Sequence, residues 1–186
     1  MNKVYRDLPP NELRERSRAK LKAMGTNPDV IDLYIRNTVF TPREQNDIVE
    51  ALDAMPNTAK RAEFIKFAVL TENPDIAFFR QRQAGMYLTY HRKVAPIARF
   101  VPFGNTTAAL TKNGTLVFNA PLDYLRWTPQ TAAFAVRLSG LADRIPGVRA
   151  KHLWIDGSLS PLARKNVEQF GWKVFEGAKA SPAGGR

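Results

Sequence analysis

Two hydrophobic periods divide this chain near residue 95. Up to that point apolar positions keep helical spacing, and between residues 97 and 121 the period changes to that of strands. The segment 74–92 shows the first pattern. Ile76, Phe79, Met86 and Tyr90 form a stripe expected to face a core, and Arg80, Ala84, Tyr87 and His91 share the neighbouring face.

Helix starts are written unusually clearly. Five times a capping residue precedes proline: Asn27-Pro28, Thr41-Pro42, Asn73-Pro74, Thr128-Pro129 and Ser160-Pro161. The side-chain oxygen can accept from a first-turn amide, while proline has no amide to leave unpaired and a φ already set for helix. Thr41 adds Glu44 three residues later, the signature of a capping box. Helices are expected near 10–23, 28–36, 42–55, 58–70, 74–92, 129–144 and 161–170. Gly25 and Gly171 suit the left-handed position after a helix.

In the strand region, Asn113-Gly114 separates "TAALTK" from "TLVFNA", which predicts a hairpin with a two-residue turn. "ARFVPF" reads as a third strand, the stretch opening at His152 as a fourth, and "WKVF" as a last one. The expected class is therefore α/β (α+β mixed). A helical half, residues 1–95, packs on a C-terminal mixed β-sheet, residues 96–177, with β-β-β-α-β-α-β order and one shared core. Residues 178–186 are small and polar and are expected to be disordered.

At 186 residues, with 44% hydrophobic and 24% charged side chains, the chain can bury a core without disulfide or metal support. It has no cysteine, which excludes disulfides, thiolate nucleophiles and cysteine-ligated metals. The N-terminus lacks the apolar stretch of a signal peptide. A cytoplasmic protein is expected, the alternative being an exported one whose signal is absent from this chain.

Charge changes the picture most. The net charge is +11, yet residues 31–59 carry Asp32, Glu44, Asp47, Glu50 and Asp53 against only Arg36 and Arg43. The excess favours an anionic partner: nucleic acid, acidic lipid or an acidic protein surface. The most basic segment, "NELRERSRAKLKAMG", reads either as an arm for such a partner or as a solvated helix.

Candidate chemistry is sparse. "HLWIDGSLSPLARKNVEQFGWKVFEG", residues 152–177, reads as strand, glycine turn, helix and strand. An anion at this turn would use Ser158, Arg164 and Lys165. Against that reading, Pro161 removes an amide, Ser160 serves as a cap, and Asp156 brings a negative charge. Arg80, Tyr87 and His91 offer a second anion-binding face on the helix 74–92, or a helix edge lying over the core. Asp123 and Asp156 each follow a strand and could line one crevice at the carboxyl edge of the sheet. That pair would suit a small enzyme or a ligand-binding protein. His152 reads as a packed strand residue, and neither histidine has metal-ligand spacing. Trp127, Trp154 and Trp172 read as packing residues, with Trp127 the most exposed. No cofactor and no metal is expected. Two readings stand: a non-catalytic basic binding module, and a small enzyme or ligand-binding protein using Asp123 and Asp156.

Overall fold

A computed structural model describes residues 8–179. The expected disorder of the tail concerns mainly residues 180–186, outside the described residues. Ala178 is tied in, its amide donating to the Ile155 carbonyl at 3.0 Å.

The order is α1 (Pro10–Ala23), α2 (Pro28–Arg36), α3 (Pro42–Asp53), α4 (Ala62–Val69) and α5 (Pro74–Lys93), then β1 (Ile97–Phe103), β2 (Thr106–Thr111), β3 (Thr115–Ala120) and β4 (Tyr124–Leu125). There follow α6 (Pro129–Ala142), β5 (Ala150–Ile155), β6 (Ser158–Leu159), α7 (Pro161–Gln169) and β7 (Trp172–Phe175). All five cap-proline pairs open a helix with the cap side chain accepting a first-turn amide. Thr41 and Thr128 both complete capping boxes, with Glu44 and Thr131.

α4 starts later than the expected 58–70 because the residues before it serve the sheet. Thr58 Oγ1 donates to the Ile97 carbonyl at 2.9 Å, and Ala59 exchanges backbone bonds with Ala98 and Phe100. A segment bridged to β1 cannot also close helical turns.

Five strands form a mixed sheet in the order β1-β2-β3-β5-β7. β1, β2 and β3 run antiparallel, whereas β3, β5 and β7 run parallel through the crossovers α6 and α7. The hairpin turn differs from its prediction. Thr111 and Thr115 bound a three-residue loop in which only Gly114 takes positive φ, at +85°. Asn113 instead turns its side-chain oxygen to the Thr111 and Thr115 hydroxyls, so the loop uses its hydrogen bonds rather than the mirror-image turn.

Strand alternation sends side chains to both faces, and both faces are covered. Phe100, Ala109 and Val117 pack with Tyr34, Phe64 and Tyr87 of the helical half. Val101, Phe118, Leu153 and Ile155 pack with Leu138 of α6 and Val167 of α7. Tyr87 meets Phe100 edge-on, ring centroids 5.2 Å apart, and ties α5 to the sheet. The core stripe of α5 falls one residue away from its expected first position, and α7 shows the same pattern. Ile76 is exposed while Ala77 is buried, and Leu162 is exposed while Ala163 faces the sheet. In each first turn the alanine takes the fully buried position, and the larger neighbouring side chain turns to solvent.

Ser160 Oγ accepts from the Ala163 amide at 3.2 Å at the start of α7. Ser160→Ala should cost about 1 kcal/mol in chemical denaturation, and Ser160→Asp should recover most of it through the same cap and the helix dipole. Equal stability of all three proteins would show that this cap contributes nothing.

Candidate functional site

The turn after β5 has its amides engaged. Gly157, Ser158 and Ser160 donate to the carbonyls of Leu122, Asp123 and Leu125 at 2.8, 3.0 and 2.9 Å. The Leu159 amide donates to Glu176 Oε1 at 2.7 Å. A phosphate loop needs converging free amides, and four consecutive ones here serve the parallel pair β4–β6 and a carboxylate. Arg164 pairs with Glu168 and Glu176, and Lys165 is exposed on the first half of α7. Ser158, Arg164 and Lys165 are thus held apart in use: one in a strand, one in ion pairs, one in solvent.

On the Arg80–Tyr87–His91 face of α5, Arg80 and Tyr87 are interior and His91 is half-buried. Arg80 is buried and donates to Thr71 Oγ1 at 2.9 Å and to the Asn105 carbonyl at 3.3 Å, and burial lowers its pKa. Tyr87 is fully buried and donates to the Thr107 carbonyl at 2.9 Å, and its hydroxyl is pushed well above the usual tyrosine range. His91 Nδ1 accepts from the Ile97 amide at 3.1 Å and so anchors the start of β1. Helical spacing brought these residues to one face, but two layers pack on α5, so that face meets the sheet instead of solvent.

The basic α1 is likewise answered from within. Lys20 Nζ donates to Glu50 at 2.8 Å and Asp53 at 2.7 Å, Arg16 pairs with Glu50 at 2.7 Å, and Arg18 hydrogen-bonds Asp32. The acidic segment 31–59 is the partner of this helix.

Asp123 and Asp156 do come to one cleft, together with Gly157 and Lys179. Arg82 of α5 lies between them, hydrogen-bonded to Asp156 and 3.5 Å from Asp123. Asp156 is largely buried by this pairing, whereas the Asp123 side chain is 94% exposed. The Asp156 carboxylate is thus already engaged by a guanidinium, which leaves it less free to hold a cation or a substrate. The crevice rule for α/β sheets gives no support either. α6 and α7 bury their apolar residues on the same sheet face, so the strand order has no switch point.

Backbone packing fixes this edge closely. A Cβ on Gly157 would fall 1.7 Å from the Asp123 carbonyl oxygen, so only glycine lets β4 lie beside β6. Along the same segment Asp123 faces the Arg82 cleft, while Leu122 and Leu125 line a second, very different cavity.

That cavity, of about 390 Å³, is floored by Phe118, Ala120 and Leu153 of the sheet and walled by α6, Val167 of α7 and Trp172 of β7. Apart from Gln130 and Thr131, every lining side chain is apolar. Small side chains create it. On α6 the positions Thr131, Ala135, Leu138 and Ala142 point toward the sheet, and the first two are too short to fill the space over Ala120 and Phe118. Phe134 beside them is 43% exposed, an aromatic ring at the mouth of the cavity rather than in it. Sequence reasoning missed this site, since alanines on a helix read as helix formers before they read as a void. The signal was the pairing of short residues on α6 with large ones on the strands it covers.

No match to this chain is found among known protein families, curated proteins or solved structures.

Both histidines give the protein a dependence on acid. Burial lowers the pKa of His91, aided by Arg92, and lowers that of His152, aided by Lys173. Protonating His91 Nδ1 would also remove the acceptor of the Ile97 amide. The unfolded chain therefore takes up these protons first. The histidine contribution is complete above the ordinary value of about 6.5 and is lost as pH falls through the depressed native values. Denaturation measured from about pH 7.5 to about pH 5.5 should show falling stability, with a flatter slope in the double variant His91→Gln, His152→Gln. An unchanged slope in that variant would assign the loss to other groups.

Proposed function

We propose that the chain is a non-catalytic binding protein whose ligand is lipid-like and occupies the apolar cavity beneath α6. The cavity itself carries this reading. Its volume lies within the roughly 300–1,000 Å³ of small-ligand sites. Its walls offer water almost no hydrogen-bond partners, so an apolar occupant gains by displacing it. The net charge of +11 favours an anionic ligand.

Among the three anionic partners that composition admits, acidic lipid is the best supported. Nucleic acid would need an open basic and aromatic surface, but Arg80 and Tyr87 are interior, and Arg16, Arg18 and Lys20 of α1 are paired with α2 and α3. The alternative of a small enzyme using Asp123 and Asp156 is less well supported, because Arg82 engages Asp156 and stands between the two carboxylates.

A neutral apolar dye, N-phenylnaphthylamine, tests the cavity without reference to charge. It should bind with enhanced emission and quench Trp127 or Trp172, which both line the site. Ala135→Leu fills the same space. It should raise stability by about 0.5–2 kcal/mol while weakening the dye by about tenfold. Stabilisation with unchanged dye binding, or no dye binding to the natural chain, would overturn the reading.

A further inference from the structure

Side chains of α5 stand between β2 and β3 at one end of their pairing. Strand alternation puts Thr107, like Ala109, and Asn119, like Val117, on the face covered by the helical half. Continuing the register Ala109↔Val117 by two residues sets Thr107 opposite Asn119. There the Tyr87 hydroxyl donates to the Thr107 carbonyl at 2.9 Å and accepts from the Asn119 amide at 3.5 Å. Gln83 Nε2 donates to the Asn119 carbonyl at 2.8 Å, and Gln83 Oε1 accepts from Thr106 Oγ1 at 3.4 Å. On the other side of β3, Asn119 is the register partner of Trp154 of β5, so the indole lies on the same face, 5.1 Å from the Tyr90 ring.

The main-chain groups of Asn119 and the Thr107 carbonyl are thus answered, but the side chains of this row are not. Thr107 Oγ1, Asn119 Oδ1, Asn119 Nδ2 and Trp154 Nε1 are buried, and none has a hydrogen-bond partner among the described residues. Thr107 and Asn119 are fully buried residues. A buried polar group without a partner carries its whole desolvation cost, and here four such atoms fall on three adjacent strands. They mix donors and acceptors. The indole N–H and the amide NH₂ donate, the amide oxygen accepts, and the hydroxyl does either. An anion would meet the Asn119 oxygen and a cation its NH₂, whereas a small neutral molecule that both donates and accepts suits them all.

We infer that the row Thr107, Asn119 and Trp154 is a buried water-binding site, and that ordered water there completes the seam between α5 and the sheet. Internal waters make about three hydrogen bonds each, so very few satisfy the row. The site lies back to back with the apolar cavity, which Phe118 and Ala120 of the same strand floor from the opposite face. It stands whether or not that cavity takes a ligand.

High-resolution crystallography of the full chain tests the site directly. Water density should lie within about 2.7–3.2 Å of Thr107 Oγ1 and of the Asn119 side-chain amide. Thr107→Val supplies a second reading, because it keeps the shape and β-branching of the side chain and removes only its hydrogen-bonding group. With water bound, the substitution strips a partner from that water and should lower the thermal midpoint by about 2–4 °C. Without water, it removes an orphaned hydroxyl and should raise the midpoint instead. Absence of water density beside Thr107 and Asn119, or a raised midpoint for Thr107→Val, would overturn the inference.

Discussion

The parallel pairing of β3 with β5 does not stop at the sheet edge. It continues past a kink as β4 beside β6, and the continuation depends on one close approach, the backbone of Gly157 against the Asp123 carbonyl. Any side chain at Gly157 would collide with that oxygen. From this contact follow the engaged amides of residues 157–160, the meeting of Asp123 and Asp156 over Arg82, and the position of Leu122 and Leu125 as a cavity wall. One segment thus separates a charged cleft from an apolar cavity.

Much of this architecture is legible in the sequence, because local chemistry decides it. The five cap-proline pairs place five helix starts where they are found, and the switch in hydrophobic period near residue 95 separates helices from sheet. Arrangements that depend on distant partners are not legible in the same way. Nothing local distinguishes an outward Arg80–Tyr87 face from an inward one; the sheet beneath α5 decides it. β4 and β6 are two residues each, too short for any periodicity, and exist only because the strands before them pair. The pairing of α1 with α3 was half visible, as a basic helix and an acidic stretch in one chain, yet only the fold sets Lys20 against Glu50 and Asp53.

The cavity beneath α6 is a departure from what packing alone would select. Interiors are normally filled to crystal-like density, and a leucine at Ala135 would serve a purely structural helix better. A cavity that a single larger side chain would close, beside an exposed Phe134, makes sense where a ligand completes the core. Stability is then shared between the protein and its occupant. The Arg82 cleft shows the opposite economy, its charges already satisfied by one another.

Methyl-resolved NMR during titration with decanoate addresses the central claim most directly. The account predicts shifts concentrated at Leu122, Leu125, Leu138, Leu153 and Val167, saturating together, with Ile48, Leu52 and Ile65 of the helical core unmoved. Shifts confined to residues outside the cavity, or spread evenly over both cores, would contradict it.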